Sequence, residues 1–133
     1  MRLILPVLSA ALLSAVPAQA QAQAEDEVLD YQSAMRCSAV YAFMSAMGED
    51  EQDAETIAAM DEFGQRWLIM AMERDGEDGT RAIAELEPVA EALVSKVEEL
   101  GEAEAEAFLI DHLTRCDTLE ETYSEEFYGI DLE

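Results

Sequence analysis

Three residues of this 133-residue sequence could do specific chemistry. The side chains of Cys37 and Cys116 could form a covalent link or hold a metal ion. The side chain of His112 could hold a metal ion or titrate near neutral pH. Two cysteines allow one intramolecular disulfide, and such a bond is favoured in a small exported protein. It would close a loop of about 80 residues, for which chain-entropy models give about 4.5 kcal/mol of stabilisation. We therefore predict a Cys37–Cys116 disulfide; an intermolecular bridge and two free buried thiols are the alternatives.

His112 is the only histidine, and it lies four residues before Cys116. Residues four apart share one face of a helix, so His112 belongs to the same apolar seam as the cysteine. It is either a core or boundary side chain, or a pH sensor, because an unperturbed imidazole titrates near pH 6.5. A zinc site made from both cysteines and His112 would need a fourth ligand, and we expect the disulfide to form instead.

No catalytic or cofactor motif accompanies these residues. The sequence contains no C-x-x-C-H, H-E-x-x-H or G-x-S-x-G motif and no glycine-rich phosphate loop. The mixed acidic and glycine stretch between Arg74 and Glu85 does not fit a calcium-binding loop, because Arg74 and Gly76 fall where carboxylates are required. We predict that the protein is not an enzyme and has no bound cofactor or dedicated metal site.

Acidic residues dominate the charge: 31 Asp and Glu face 7 Lys and Arg, a net charge of −24. This balance excludes binding to nucleic-acid backbones, which requires a surplus of cations. The acids are a solvated surface, or they form a docking surface for a cationic protein or for weakly held divalent cations. The candidate surface comprises Glu49, Asp50, Glu51, Asp53, Glu55, Glu98, Glu99, Glu102, Glu104 and Glu106.

The first 20 residues have the pattern of a bacterial signal peptide. Arg2 precedes an apolar run over 3–16, and Pro17 and the small-x-small triplet 18–20 follow it. Further A-x-A frames place alternative cleavage sites after residues 22 and 24. We expect a periplasmic or secreted protein that does not contact the membrane after cleavage, since no later stretch is apolar enough to cross one.

The remaining residues, 21–133, are expected to form a single helical domain. Apolar residues recur at helical spacing in four segments, which we place at 26–47, 51–74, 80–100 and 102–123. Their seams include Met47 and Ile83. Pro88 lies inside the third segment and should kink or split it.

Short linkers between these segments predict an all-α, up-down-up-down four-helix bundle. Cys37 and Cys116 fall near the middle of the first and fourth segments, so an antiparallel bundle places them at one height and joins helix 1 to helix 4. The apolar and acidic tail, residues 124–133, folds back over the bundle end in the simplest interpretation. A disordered tail is the alternative.

In outline this pattern resembles two families of exported helical proteins. With Met35 or Met44 on helix 1 and His112 on helix 4, it is similar to periplasmic cytochromes of the b562 type, which implies haem ligation and electron transfer. The chain departs from them in placing a disulfide between those two helices. It is also similar in outline to small acid-stress chaperones with one disulfide. We expect an exported acidic protein that acts by binding, with a cationic partner; the alternatives are an electron carrier or metal binder using His112, and an acid-stress chaperone.

Overall fold

The computed structural model describes residues 28–76 and 79–132, and its regular structure in those ranges is entirely helical. The elements are α1 (Tyr31–Gly48), α2 (Ala54–Asp75), α3 (Thr80–Glu99), α4 (Glu102–Thr122) and α5 (Ser124–Tyr128). The predicted all-α class and the four long helices are confirmed. The proposed signal peptide and its cleavage sites lie outside the described residues.

Two aspartates determine where α1 and α2 begin. Asp30 Oδ1 accepts a hydrogen bond from the Ser33 backbone N–H at 2.8 Å, and Ser33 Oγ accepts one from the Asp30 N–H at 2.9 Å. This reciprocal capping box satisfies two N–H groups that a helix start leaves without partners. Asp53 caps α2 through a single bond, in which its Oδ1 accepts from the Thr56 N–H at 2.8 Å. The helices therefore start at Tyr31 and Ala54, later than their predicted starts at Asp26 and Glu51.

Removing the first cap gives a pH-dependent prediction. The hydrogen bond from the Ser33 N–H lowers the pKa of Asp30 below the ordinary value of an aspartate. The carboxylate therefore stabilises the fold above that ordinary value, and this contribution is lost as the pH falls through the lowered pKa. We expect Asp30→Ala to reduce the free energy of unfolding by about 1 kcal/mol at pH 7. The difference from wild type should shrink in urea titrations below about pH 4. The exposed turn residue Asp50, changed to alanine, serves as the control; an equal loss in both variants would contradict the cap.

Helix α3 continues through Pro88, so of the two predicted outcomes, a kink or a split, the split does not occur. Proline removes the N–H that would have bonded to the carbonyl of Ala84, four residues earlier. Pro88 and Ala84 are both exposed, which leaves that carbonyl accessible to water. The cost of the proline is thereby lowered enough for one helix to run from Thr80 to Glu99.

Helix α1 is the centre of the bundle and packs against α2, α3 and α4. Its N-terminal end lies beside the C-terminal end of α4, where the Leu29 N–H donates to Tyr123 Oη at 3.4 Å. This contact and the disulfide make α1 and α4 antiparallel, as the up-down-up-down bundle requires. Within the described ranges no Cα atom of α2 lies within 8 Å of a Cα atom of α4, while the short helix α5, which follows α4 directly, approaches α2.

The core is built around fully buried side chains from α1, α2, α4 and α5: Met35, Trp67, Met70, Leu119 and Phe127. Two predicted seam residues are not part of it, since Met47 is 59% exposed and Ile83 is 62% exposed. Ala82 is the buried residue at the start of α3, one position before the predicted Ile83. No helix in the described part of the chain combines the length and the apolar character that crossing a membrane requires.

Candidate functional site

The predicted disulfide is present and lies in the core. Cys37 and Cys116 are joined with a Cα–Cα distance of 5.8 Å, and neither is exposed to solvent. The cysteines are not at the helix mid-points: Cys37 is in the first half of α1, and Cys116 is in the last third of α4. They still lie at one height, because these two helix ends are adjacent. The disulfide clasps the end of the bundle at which α1 begins.

His112 lies on α4, one turn before Cys116, and is half-buried. Its ring makes an edge-on contact with Phe108, with the ring centroids 4.4 Å apart. Both cysteine sulfurs are committed to the disulfide, so they are not free thiolates for a zinc ion beside His112. No group of three or more metal-binding side chains occurs among the residues that the structure describes. A pH-sensing role for His112 stays a prediction.

The geometry around α1 and α4 does not favour the haem alternative. Met35 is 2% exposed and belongs to the packed core, and Met44 is half-buried further along α1. At the height of the disulfide the Cα atoms of Cys37 and Cys116 are 5.8 Å apart and the two side chains are bonded to each other, so that stretch of α1 and α4 has no room for a macrocycle between the helices. A haem between α1 and α4 would have to lie further from the start of α1 than the disulfide does.

The ten carboxylates predicted as a binding surface are all exposed. They surround the α1–α2 and α3–α4 turns, which the antiparallel topology places at the end of the bundle away from the helix-1 start. We call these ten residues the acidic end. In the described ranges none of them forms an ion pair. Asp53 has a structural role as the cap of α2, and the hydrogen bond from the Thr56 N–H lowers its pKa.

Two arginines of α2 hold the C-terminal strap, which we define as residues 124–132. Arg74 donates from both terminal nitrogens to the two Glu126 carboxylate oxygens at 2.7 and 2.8 Å, and this bond holds the pKa of Glu126 below its usual range. Arg66 Nη1 donates to the backbone carbonyls of Phe127 and Ile130 at 2.9 and 3.0 Å. The tail thus folds back along the side of α2 and not over the bundle end.

Phe127 anchors the strap. Its ring lies 4.9 Å from Trp67 and 5.3 Å from Phe63, measured between ring centroids, and no part of it is exposed. The Arg66 guanidinium lies 5.9 Å from the same ring centroid, within range of a cation–π contact. The only sequence signal for this anchor was the apolar Phe127-Tyr128 pair in an acidic tail. The two arginine partners had none.

A second tie, also absent from the sequence predictions, joins the ends of three helices. Arg81 of α3 bridges Asp75 and Glu85 at 3.0 Å and lies 4.5 Å from the Tyr31 ring centroid. The Tyr31 hydroxyl donates to Glu85 at 2.6 Å. Burial and this carboxylate raise the pKa of Tyr31 to about 12. The cluster fixes the starts of α1 and α3 and the end of α2, so we assign it a structural role.

Fold and site together define the class of this protein: an all-α bundle clasped by one disulfide, with exposed carboxylates at one end and a strap on one side. Comparison with protein-family models, with curated proteins and with solved structures finds no match to this chain. Its function is therefore argued from its own residues.

Proposed function

We propose that this protein acts by binding a cationic polypeptide at its acidic end. The observation that carries the proposal is that all ten carboxylates are exposed and have no ion-pair partner in the described ranges. A surface of one sign attracts a partner of the opposite sign and raises the rate of encounter. A cationic partner would also relieve repulsion in a chain of net charge −24.

Helix stability alone does not account for these charges. Acids in the first turn of a helix complement its dipole, as Glu55, Glu102 and Glu104 do. Glu98 and Glu99 instead occupy the last turn of α3, where the dipole disfavours negative charge. These two carboxylates therefore reduce helix stability slightly, and an electrostatic role towards a partner would explain their presence.

The size of the chain, its disulfide and its charge suit an exported neutraliser of a basic protein, of the inhibitor or immunity type. We place it in the periplasm or outside the cell, on the strength of the signal-peptide pattern in residues 1–20 and the disulfide. Weakly held divalent cations are the other class of ligand that exposed carboxylates suit, and they would compete with such a partner for the acidic end.

A titration with a fluorescently labelled lysine-rich peptide tests the proposal. We expect binding at low ionic strength that weakens about tenfold or more between 20 and 200 mM salt, because exposed charges are screened over a Debye length. Uncharged osmolyte at equal osmolality is the control. No binding at low salt, or binding that salt does not change, would refute electrostatic docking.

A further inference from the structure

The C-terminal strap packs on α2. In the described ranges no Cα atom of α2 lies within 8 Å of a Cα atom of α4, whereas α5 approaches α2 to within that distance. The contact is aromatic, since Phe63 and Trp67 of α2 face the Phe127 ring. The tail therefore covers an aromatic part of α2.

The strap is attached differently from the long helices. Only Phe127 of the strap is fully buried; Glu125, Glu126 and Tyr128 are exposed. Ile130 is half-buried against the core, and the other ties are polar: the Arg66 side chain is 13% exposed, and the Arg74 and Glu126 side chains are 21% and 39% exposed. Such contacts exchange readily with water, and segments with few buried apolar groups open before the global fold does.

Carboxylates of the strap and of α2 lie close together. Glu73 of α2 lies beside Glu126, and these two residues line one cleft together with Glu125 and Asp131 of the strap. Against these carboxylates, Arg66 and Arg74 supply the cationic contacts to the strap in the described part of the chain. Loss of the Arg74–Glu126 pair would leave the acidic tail facing an acidic helix.

The four long helices are joined to one another by contacts outside the strap. The Cys37–Cys116 bond joins α1 to α4, and α1 packs directly on α2 and α3. We propose that the strap is a latch, which opens as a unit when the Arg74–Glu126 pair is lost and uncovers Phe63 and Trp67 while α1 to α4 stay folded. The open form presents an aromatic surface that the closed form hides.

Trp67 reports on the latch directly, because it is the only tryptophan in the chain and lies under Phe127. The test compares wild type with Glu126→Gln and Arg74→Gln, using acrylamide quenching of Trp67 fluorescence and far-UV circular dichroism. Asp111→Asn is the matched control, since it removes one carboxylate from the exposed Arg115–Asp111 pair. We expect a red-shifted emission and a quenching constant raised about twofold or more in the two latch variants, with the helical signal retained.

Two results would overturn the latch. In the first, Trp67 emission and quenching are unchanged in both Glu126→Gln and Arg74→Gln. In the second, Trp67 becomes accessible only in step with loss of the helical signal, which would make the strap part of one cooperative unit. Because Glu126 is exposed and belongs to the strap itself, its variant tests the latch even where Arg74→Gln does not fold.

Discussion

Replacing Cys37 and Cys116 together by serine will lower the free energy of unfolding by about 3–5 kcal/mol. The disulfide joins residues 79 apart in sequence, so its loss returns a long loop to the unfolded ensemble. It also leaves two hydroxyls in a fully buried site, where polar groups without partners are costly. Small domains have about 5–15 kcal/mol of stability in all, so this loss is a large share of it.

Urea unfolding followed by circular dichroism measures the effect of the disulfide. Two controls separate its sources: the Cys37→Ala, Cys116→Ala double variant removes the buried hydroxyls, and reduced wild type keeps the native side chains. We expect both controls to lose stability as well. Equal midpoints for oxidised and reduced wild type would contradict a stabilising clasp between α1 and α4.

Trp67→Ala is expected to cost about 3–5 kcal/mol, the usual range for removing a large aromatic side chain from a core. Trp67 is fully buried in the middle of α2 and contacts the Phe127 anchor at 4.9 Å between ring centroids. Its removal would open a cavity at the meeting point of α2 and the strap. The loss should appear as a lower urea midpoint in circular dichroism, which needs no tryptophan signal.

Trp67→Phe is the matched comparison, and we expect it to cost less than about 1.5 kcal/mol. The indole Nε1 is buried without a hydrogen-bond partner in the described residues. Phenylalanine therefore loses no hydrogen bond and removes one buried polar group, which offsets part of the smaller volume. Ile110→Ala, at a side chain that is 54% exposed, is the surface control. Equal costs for all three variants would contradict a core centred on Trp67.

Apolar periodicity predicted the long helices, and the two cysteines of a small chain with a signal-peptide pattern predicted the disulfide. The periodicity placed Ile83 inward, although Ala82 is the buried residue there. The spacing of apolar residues does not decide which of two adjacent residues faces the core at a helix end, because few contacts there fix the rotation of the helix about its axis. Helices α1 and α2 start later than predicted because Asp30 and Asp53 are their N-caps. Other acidic residues stand a few positions earlier in the sequence, and the sequence alone does not show which acid becomes the cap.

The strap contacts could not be predicted, because they join residues far apart in sequence through polar groups that have no periodic pattern. Arg74 and Glu126 are 52 residues apart, and Arg66 binds backbone carbonyls, which every residue possesses. The same holds within the core, where the Ser38 hydroxyl donates to the Gly64 carbonyl at 2.8 Å across α1 and α2. Predicting such pairs requires the packing of the helices first.

The location of the acidic end is the central claim, and comparing two charge-matched variants tests it most directly. One replaces Glu51, Glu98, Glu102 and Glu104 by glutamine; the other replaces Glu87, Glu91, Glu121 and Glu125, which are equally exposed elsewhere. Both lose four charges, and anisotropy of the labelled lysine-rich peptide measures their affinity at low salt. We predict that the first set weakens binding about tenfold or more and the second much less. Equal losses of affinity would show that peptide binding depends only on the net charge of the protein. A larger loss of affinity in the second set would place the binding surface elsewhere.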